Sequence, residues 1–452
     1  MIFRVLLAVL FFGAFGASAV ELSSSVGKLN IGPELEILLD PDEAFSISDV
    51  SSGDQSDAFE QPNQSSINLG LVEGAVWVRF RLTYNGTEPL RRDVELTNRF
   101  IQNVQIYTAL EEGFQVTDLD GKPFGARPFT NRSFLVPTVF PPGTDVVNYL
   151  RIRSEAPLRF SVIVWDPDFH GEEEFVSLIT LGMIVGGLIL LAGYHLVLLI
   201  SLKDRSYFYM GMFLVFAASW QAHIGGIAFW QLWPERPGMV LPMTLISAGM
   251  MMAFSVLCTR RYVSSKTQAA TWDKVLLGLF VVCVFLCLLA VISVRTAMMM
   301  VFLVTLLWPT ISLGASYFVW KKGTVVSVRY LVAGWGVLLV ATIGDLLVNL
   351  AVLPGNFYTD WMPEIGFCVA VAVFSVGLAS RTKVIVDSGA VKLREEREQL
   401  EGILPVCAFC KNIRNDAEEW FPLEKYIEDR AEVEFSNTYC PECARKQADS
   451  PS

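Results

Sequence analysis

Residues 176–202 read VSLITLGMIVGGLILLAGYHLVLLISL, 27 residues without one Asp, Glu, Lys or Arg. As a helix rising 1.5 Å per residue, such a run more than crosses the roughly 30 Å of hydrocarbon in a bilayer. Six further apolar stretches follow, at about Tyr207–Leu232, Gly238–Cys258, Val275–Ser293, Ala297–Trp320, Tyr330–Leu353 and Trp361–Ser380. Each is near or above spanning length, and only a helix satisfies every backbone group inside lipid. The pattern predicts a seven-helix transmembrane bundle over residues 176–380.

Working outward, the remainder of the 452 residues is polar. The whole chain is 52% hydrophobic and 18% charged, with a net charge of −11, against about 25% charge in an ordinary soluble domain. Residues 20–175 hold 12 basic and 25 acidic side chains, whereas residues 176–380 hold 11 and 6. An acidic balance excludes a large nucleic-acid footprint, which needs a basic face. The composition also excludes a disordered chain and a disulfide-rich miniprotein.

Connections on one side of the predicted bundle carry Lys203, Arg205, Arg260, Arg261, Lys266, Lys274, Lys321, Lys322 and Arg329, with Arg381 and Lys383 after the last span. The other side carries Arg236 and Arg295. The positive-inside rule then predicts the N-terminus outside and the C-terminus in the cytoplasm. Residues 1–19 read as a signal peptide: Arg4, an apolar run from Val5 to Phe15, and Ala17-Ser18-Ala19 before Val20. The expected location is a bacterial inner membrane, with the N-terminal domain in the periplasm.

Residues 20–172 alternate with period 2. In Ala75–Leu82, Val76, Val78, Phe80 and Leu82 share one face, and Trp77, Arg79 and Arg81 the other. Similar segments are separated by Asn85-Gly86, Asp120-Gly121 and Pro141-Pro142-Gly143. The expected fold is an all-β antiparallel sandwich or jelly roll. The Trp77, Arg79 and Arg81 row, on the non-core face, is a candidate contact for a sugar or an anion.

Within the spans, polar groups are costly and therefore candidates for function. Gln221, His223, Asp345, Asn349 and Glu364 fall at similar depth when counted along alternating helices. They form either an intramembrane relay or a set of satisfied interhelical hydrogen bonds. His195 reads as a packed residue, and Cys258, Cys283, Cys287 and Cys368 as small hydrophobes.

After Ser380 a helical linker is expected over 381–402, with Val386, Leu393 and Leu400 seven residues apart, the spacing of a short coiled coil or homodimer seam. Residues 403–446 contain Cys407-x-x-Cys410 and Cys440-x-x-Cys443. Two such knuckles offer four thiolates to one structural zinc and leave no open catalytic position. A redox pair is the alternative use of these thiols, and 447–452 is expected to be a disordered end. The chain shows no P-loop, Rossmann or nucleophile-elbow pattern, and no histidine follows His223. It is therefore expected to be non-enzymatic.

These residues together resemble a known family. Ala75-Val76-Trp77-Val78-Arg79-Phe80-Arg81-Leu82, Val94-Glu95-Leu96-Thr97-Asn98, Val104-Gln105-Ile106-Tyr107 and Tyr149-Leu150-Arg151-Ile152-Arg153-Ser154 are similar to the type-2 extracellular module of bacterial seven-transmembrane receptors with diverse intracellular signalling modules. Gly193-Tyr194-His195, Ser201–Tyr207 and Trp230-Gln231-Leu232-Trp233-Pro234 resemble the first spans and loops of those receptors. The resemblance covers roughly residues 30–380. It implies a jelly-roll sensor for a carbohydrate-like ligand and a bundle that passes the signal inward. The tail from Leu404 to Cys443 resembles a small module that ends bacterial sensor kinases and regulators, with Asn437 where that module often has histidine.

Such a receptor without an output enzyme needs a cytoplasmic signalling protein in trans, or assembly through its own tail. Two readings from other classes remain at this point, a transporter or its accessory subunit, and a redox or metal sensor. Against the transporter, Pro309 interrupts one span with no counterpart in another, and no internal repeat is visible.

Overall fold

The computed structural model describes residues 19–448 apart from 53–54, 102, 111–112, 120–121, 124, 126–131, 264, 324–326, 350–351, 354–356, 402–404, 416–417, 432–433 and 437. Residues 1–18, on which the expected signal peptide falls, and the last four residues of the chain lie outside the described residues. The chain forms two units, 1–378 and 379–452.

The first unit opens with twelve strands: β1 (Ala19–Glu21), β2 (Lys28–Asn30), β3 (Glu36–Asp40), β4 (Ile67–Asn68), β5 (Ala75–Tyr84), β6 (Leu90–Leu96), β7 (Asn103–Ala109), β8 (Phe114–Asp118), β9 (Phe134–Phe140), β10 (Thr144–Arg153), β11 (Arg159–Phe160) and β12 (Val162–Trp165). One sheet runs β1-β5-β10-β7-β8, with β3 also paired to β5; the facing sheet runs β2-β12-β6-β9. Gly143, between β9 and β10, sits at φ 77°, open to glycine at no steric cost.

Alternation along β5 decides the packing. Val76, Val78, Phe80 and Leu82 enter the space between the sheets with Leu96, Val104, Leu150, Phe160 and Val162. Each fully buried aliphatic or aromatic side chain there contributes about 1.5–3 kcal/mol relative to exposure.

The opposite face of β5 is not the open polar row that the alternation suggests. Trp77 is only 1% exposed and packs with Leu38, Val50 and Tyr149, bordered by Phe45, Phe59 and Tyr107. The segment that includes the short helix α1 (Ile47–Ser51) folds over this face. Arg79 donates to Glu36 and lies 4.3 Å over the Phe59 ring, and Arg81 pairs with Asp145. Period 2 assigns residues to faces but cannot say that a second face will also be covered.

β12 runs into α2 (Pro167–Leu202) with only Asp166 between them. The bundle continues with α3 (Arg205–Ile224), α4 (Ile227–Gln231), α5 (Val240–Tyr262), α6 (Ser265–Gln268), α7 (Ala270–Ile292), α8 (Val294–Lys321), α9 (Val328–Asn349) and α10 (Phe357–Glu401). Among the described residues, six helices are long and apolar enough to cross a membrane. The chain is a multi-pass membrane protein.

The expected second span differs. α3 is not one of the six. It ends at Ile224, Gly225-Gly226 turns the chain, and α4 follows. Gly226 at φ 79° is the physical cause, since a left-handed residue ends the helical ladder. Pro309, by contrast, lies inside a continuous α8.

Small residues let the helices approach. A Cβ on Gly249 of α5 would stand 2.6 Å from Cys287 Sγ and 3.0 Å from the Cys283 carbonyl of α7. Close backbone approach at small residues is how helices associate in lipid.

The second unit contains β13 (Ile413–Arg414), β14 (Trp420–Phe421), α11 (Leu423–Ala431) and α12 (Pro441–Ala448), with β13 and β14 paired antiparallel.

Candidate functional site: the junction of the β domain and the bundle

The β domain meets the helices through an apolar seam and a buried ionic clamp. In the seam, Ala156 with Leu71 and Phe100 of the β domain packs on Leu241 and Leu245 of α5 and Ala297 and Met298 of α8. An exposed pair, Arg295 to Glu73 at 3.0 Å, adds little, because solvated ion pairs contribute about 0–1 kcal/mol.

The clamp is Arg132, two residues before β9, with a side chain 3% exposed. Its Nε and Nη2 donate to both oxygens of Glu174 on α2 at 2.7 and 2.8 Å. Nη2 also donates to Ser177 Oγ at 3.1 Å, and Nη1 to the Gly225 carbonyl at 2.8 Å. One guanidinium thus ties a β strand to α2 and to the end of α3. Its planar fork suits a bidentate carboxylate, which a lysine cannot match.

Arg99 stands beside it. Burial pushes its guanidinium below the ordinary arginine value, and the Arg132 charge adds to this, while Glu174 and Glu95 oppose it. Its Nε is buried without a hydrogen-bond partner among the described residues. The junction therefore holds two cations near Glu174, and it is Arg132 that makes the hydrogen bonds to it.

Three further contacts fix the passage from β12 into α2. The Asp166 side chain caps α2 by accepting from the Asp168 amide at 3.2 Å and also accepts from Arg92. Trp165 Nε1 donates to Glu95 Oε2 at 2.7 Å.

Gly226 completes the joint. A Cβ there would lie 3.1 Å from Arg99 Cδ and 3.3 Å from Arg132 Cβ. Gly226→Ala is expected to cost about 1–2 kcal/mol for the left-handed backbone alone and to push both arginines. Faster hydrogen exchange over residues 98–101 and 132–135, with β5 and β10 unchanged, is the measurement that checks it.

Beside the seam a cavity of about 320 Å³ opens between the β domain and the helices, walled by Phe100 and Pro157 and by Trp220, Met251, Met252 and Asp345. The intramembrane candidates divide around it. Asp345 lines the cavity, whereas His223 is held by its own helix: its Nδ1 bonds the Ser219 carbonyl at 2.7 Å and Trp233 donates to its Nε2 at 3.3 Å. The structure does not bring His223 and Asp345 into one hydrogen bond. Gln221 is buried on α3, Glu364 is half-buried on α10, and the Asn349 side chain lies outside the described residues. His195, expected to be a packed residue, is buried, with Nε2 3.3 Å from Ser375 Oγ.

A second cavity, of about 390 Å³, lies between the two sheets, with Phe80, Leu82, Val136 and Leu150 among its walls.

In the second unit the cysteines come together two by two. Cys407 accepts from the Cys410 and Phe409 amides and from the Cys410 thiol, which hold its thiol below the ordinary thiol range. Cys440 is lowered likewise by the Cys443 amide and thiol and the Glu442 amide. Among the described residues no group of three or more ligating side chains is assembled. Each knuckle thus closes on its own backbone and favours thiolate, the form a soft metal binds. The expected four-thiolate set is thus present as two separate pairs and is not assembled into one site among the described residues.

Sequence reasoning missed Arg132, Arg99 and the Gly225-Gly226 turn, which match no motif. The run Glu172-Glu173-Glu174 just before the first span was the available signal that a cation had to meet it.

Known proteins were compared with this chain. A family profile described as 7TM diverse intracellular signalling matches residues 177–381. A second, 7TMR-DISM extracellular 2, matches residues 32–166. A search of curated proteins returned no match.

Proposed function

This chain belongs to the 7TM diverse intracellular signalling family, and on that premise we propose how it signals. It is an inner-membrane receptor whose periplasmic sandwich senses a ligand and whose helices carry the change to the cytoplasm. The observation that carries the reading is the Arg132 clamp. Any shift of β9 against the other sheet moves a guanidinium bonded to α2 and to the end of α3. A ligand drives this only by binding one arrangement of the clamp better than another. The distribution of Lys and Arg between the connections supports the orientation.

The glycine break does not favour a transporter. It lies at the end of α3 against the β domain, not midway along a helix where transporters build their sites.

The output is proposed to be non-enzymatic and in trans. Cys407, Cys410, Cys440 and Cys443 would hold a structural zinc, which when bound supplies the bonds that join the two knuckles. The Val386 and Leu393 side chains, both exposed on α10, are proposed as a homodimer seam. A cytoplasmic signalling protein then reads the tail.

Metal analysis and cross-linked capture of the full-length receptor test this. One zinc per chain is expected, with Cys407→Ser losing both the metal and the captured partner. A reversible disulfide in place of zinc supports the redox-sensor reading instead. Identical partners for both chains remove the tail as the output.

A further inference from the structure

The cavity between the sheets bears on what the receptor senses, and the inference that follows rests on the receptor reading. Its volume, about 390 Å³, is far above the water-sized voids of a close-packed interior and within the range of ligand pockets. Aliphatic and aromatic side chains from both sheets form its walls, and no charged residue lines it among those described. Its polar lining is Thr108, Gln115, Thr138, Thr144 and Asn148; Thr108 Oγ1 donates to Asn148 Oδ1 at 3.0 Å, and the Thr138 and Thr144 hydroxyls donate to the Val136 and Pro141 carbonyls. At the mouth, Leu110 and Val139 are 57% and 60% exposed.

These walls do not suit a sugar. Each hydroxyl buried without a partner costs free energy, and a sugar would bring several against walls whose three threonine hydroxyls already donate within the protein. A cavity lined by aliphatic and aromatic groups instead stays dry and takes apolar molecules. A charged head would likewise find no counter-ion. At about 30 Å³ per water-sized group, the volume holds ~13 non-hydrogen atoms.

We propose that the space between the two sheets is the sensory site, and that it binds a neutral amphiphile with an alkyl body of about a dozen non-hydrogen atoms and one polar head at Thr108 and Asn148. Its position suits a sensor. Phe134 lines the cavity two residues after Arg132, and Leu96 lines it three residues before Arg99. A ligand that parts the sheets therefore acts on the strands that lead to the clamp.

The test is photolabelling of the full-length receptor in lipid nanodiscs with a diazirine-bearing decanol, followed by peptide mapping. Saturable labelling of β7, β9 and β10 is expected, displaced by unlabelled decanol and reduced at least tenfold by Val136→Phe, which fills the cavity. Should Val136→Phe fail to fold, competition on the wild type and the variant Val146→Phe decide. Labels confined to residues 167–401, or sandwich labels indifferent to decanol, overturn the proposal. That result leaves the receptor reading intact if Arg132 variants still change output, so the two failures are distinguishable.

Discussion

Arg132→Met is expected to reduce ligand-evoked output to the unstimulated level while the receptor still reaches the membrane. The substitution keeps much of the side-chain volume and removes four hydrogen bonds, two of them to Glu174. Breaking a buried pair leaves the other charge desolvated, at a cost of about 3–5 kcal/mol. Here about 2–3 kcal/mol is expected, because the Glu174 side chain remains 22% exposed. Arg132→Lys should not restore output, since an ammonium cannot hold both carboxylate oxygens and the Gly225 carbonyl together. A double-mutant cycle with Glu174→Gln should be far from additive, as expected for side chains in contact. Normal output beside lowered stability would make Arg132 a tether and take the junction out of the signalling path.

Trp77→Ala is expected to lower the stability of the β domain by about 3–5 kcal/mol, as for other buried Trp truncations. Trp77 is 1% exposed and tilted against Tyr107 at 5.6 Å between centroids, and its Nε1 donates to Asp40 at 3.4 Å. Against a typical domain stability of about 5–15 kcal/mol, that loss should expose residues 20–166 to protease while the helices remain folded. Trp77→Phe should lose much less. The experiment also bears on the expected ligand row. Lost ligand response at unchanged protease resistance would return Trp77 to the binding surface.

Much of the architecture was legible. Uncharged runs such as 176–202 leave a helix in lipid as their one solution, because no water is present to satisfy a free amide. The alternation in Ala75–Leu82 marked which residues of β5 meet the facing sheet. The Cys-x-x-Cys spacing marked two knuckles, each a local turn whose geometry depends on four residues.

Local pattern alone determined the polar domain, the apolar helices and the candidate thiols, because hydrophobic period and charge are properties of neighbouring residues. Tertiary structure alone decided the rest. It buried the second face of β5 beneath Phe45, Val50 and Phe59, broke α3 at Gly225-Gly226, and placed Arg132 against Glu174, 42 residues later. It also left a cavity between two sheets whose facing sides are mostly apolar in sequence. A residue's partner across that distance depends on how whole elements stack, which no window of neighbouring residues contains.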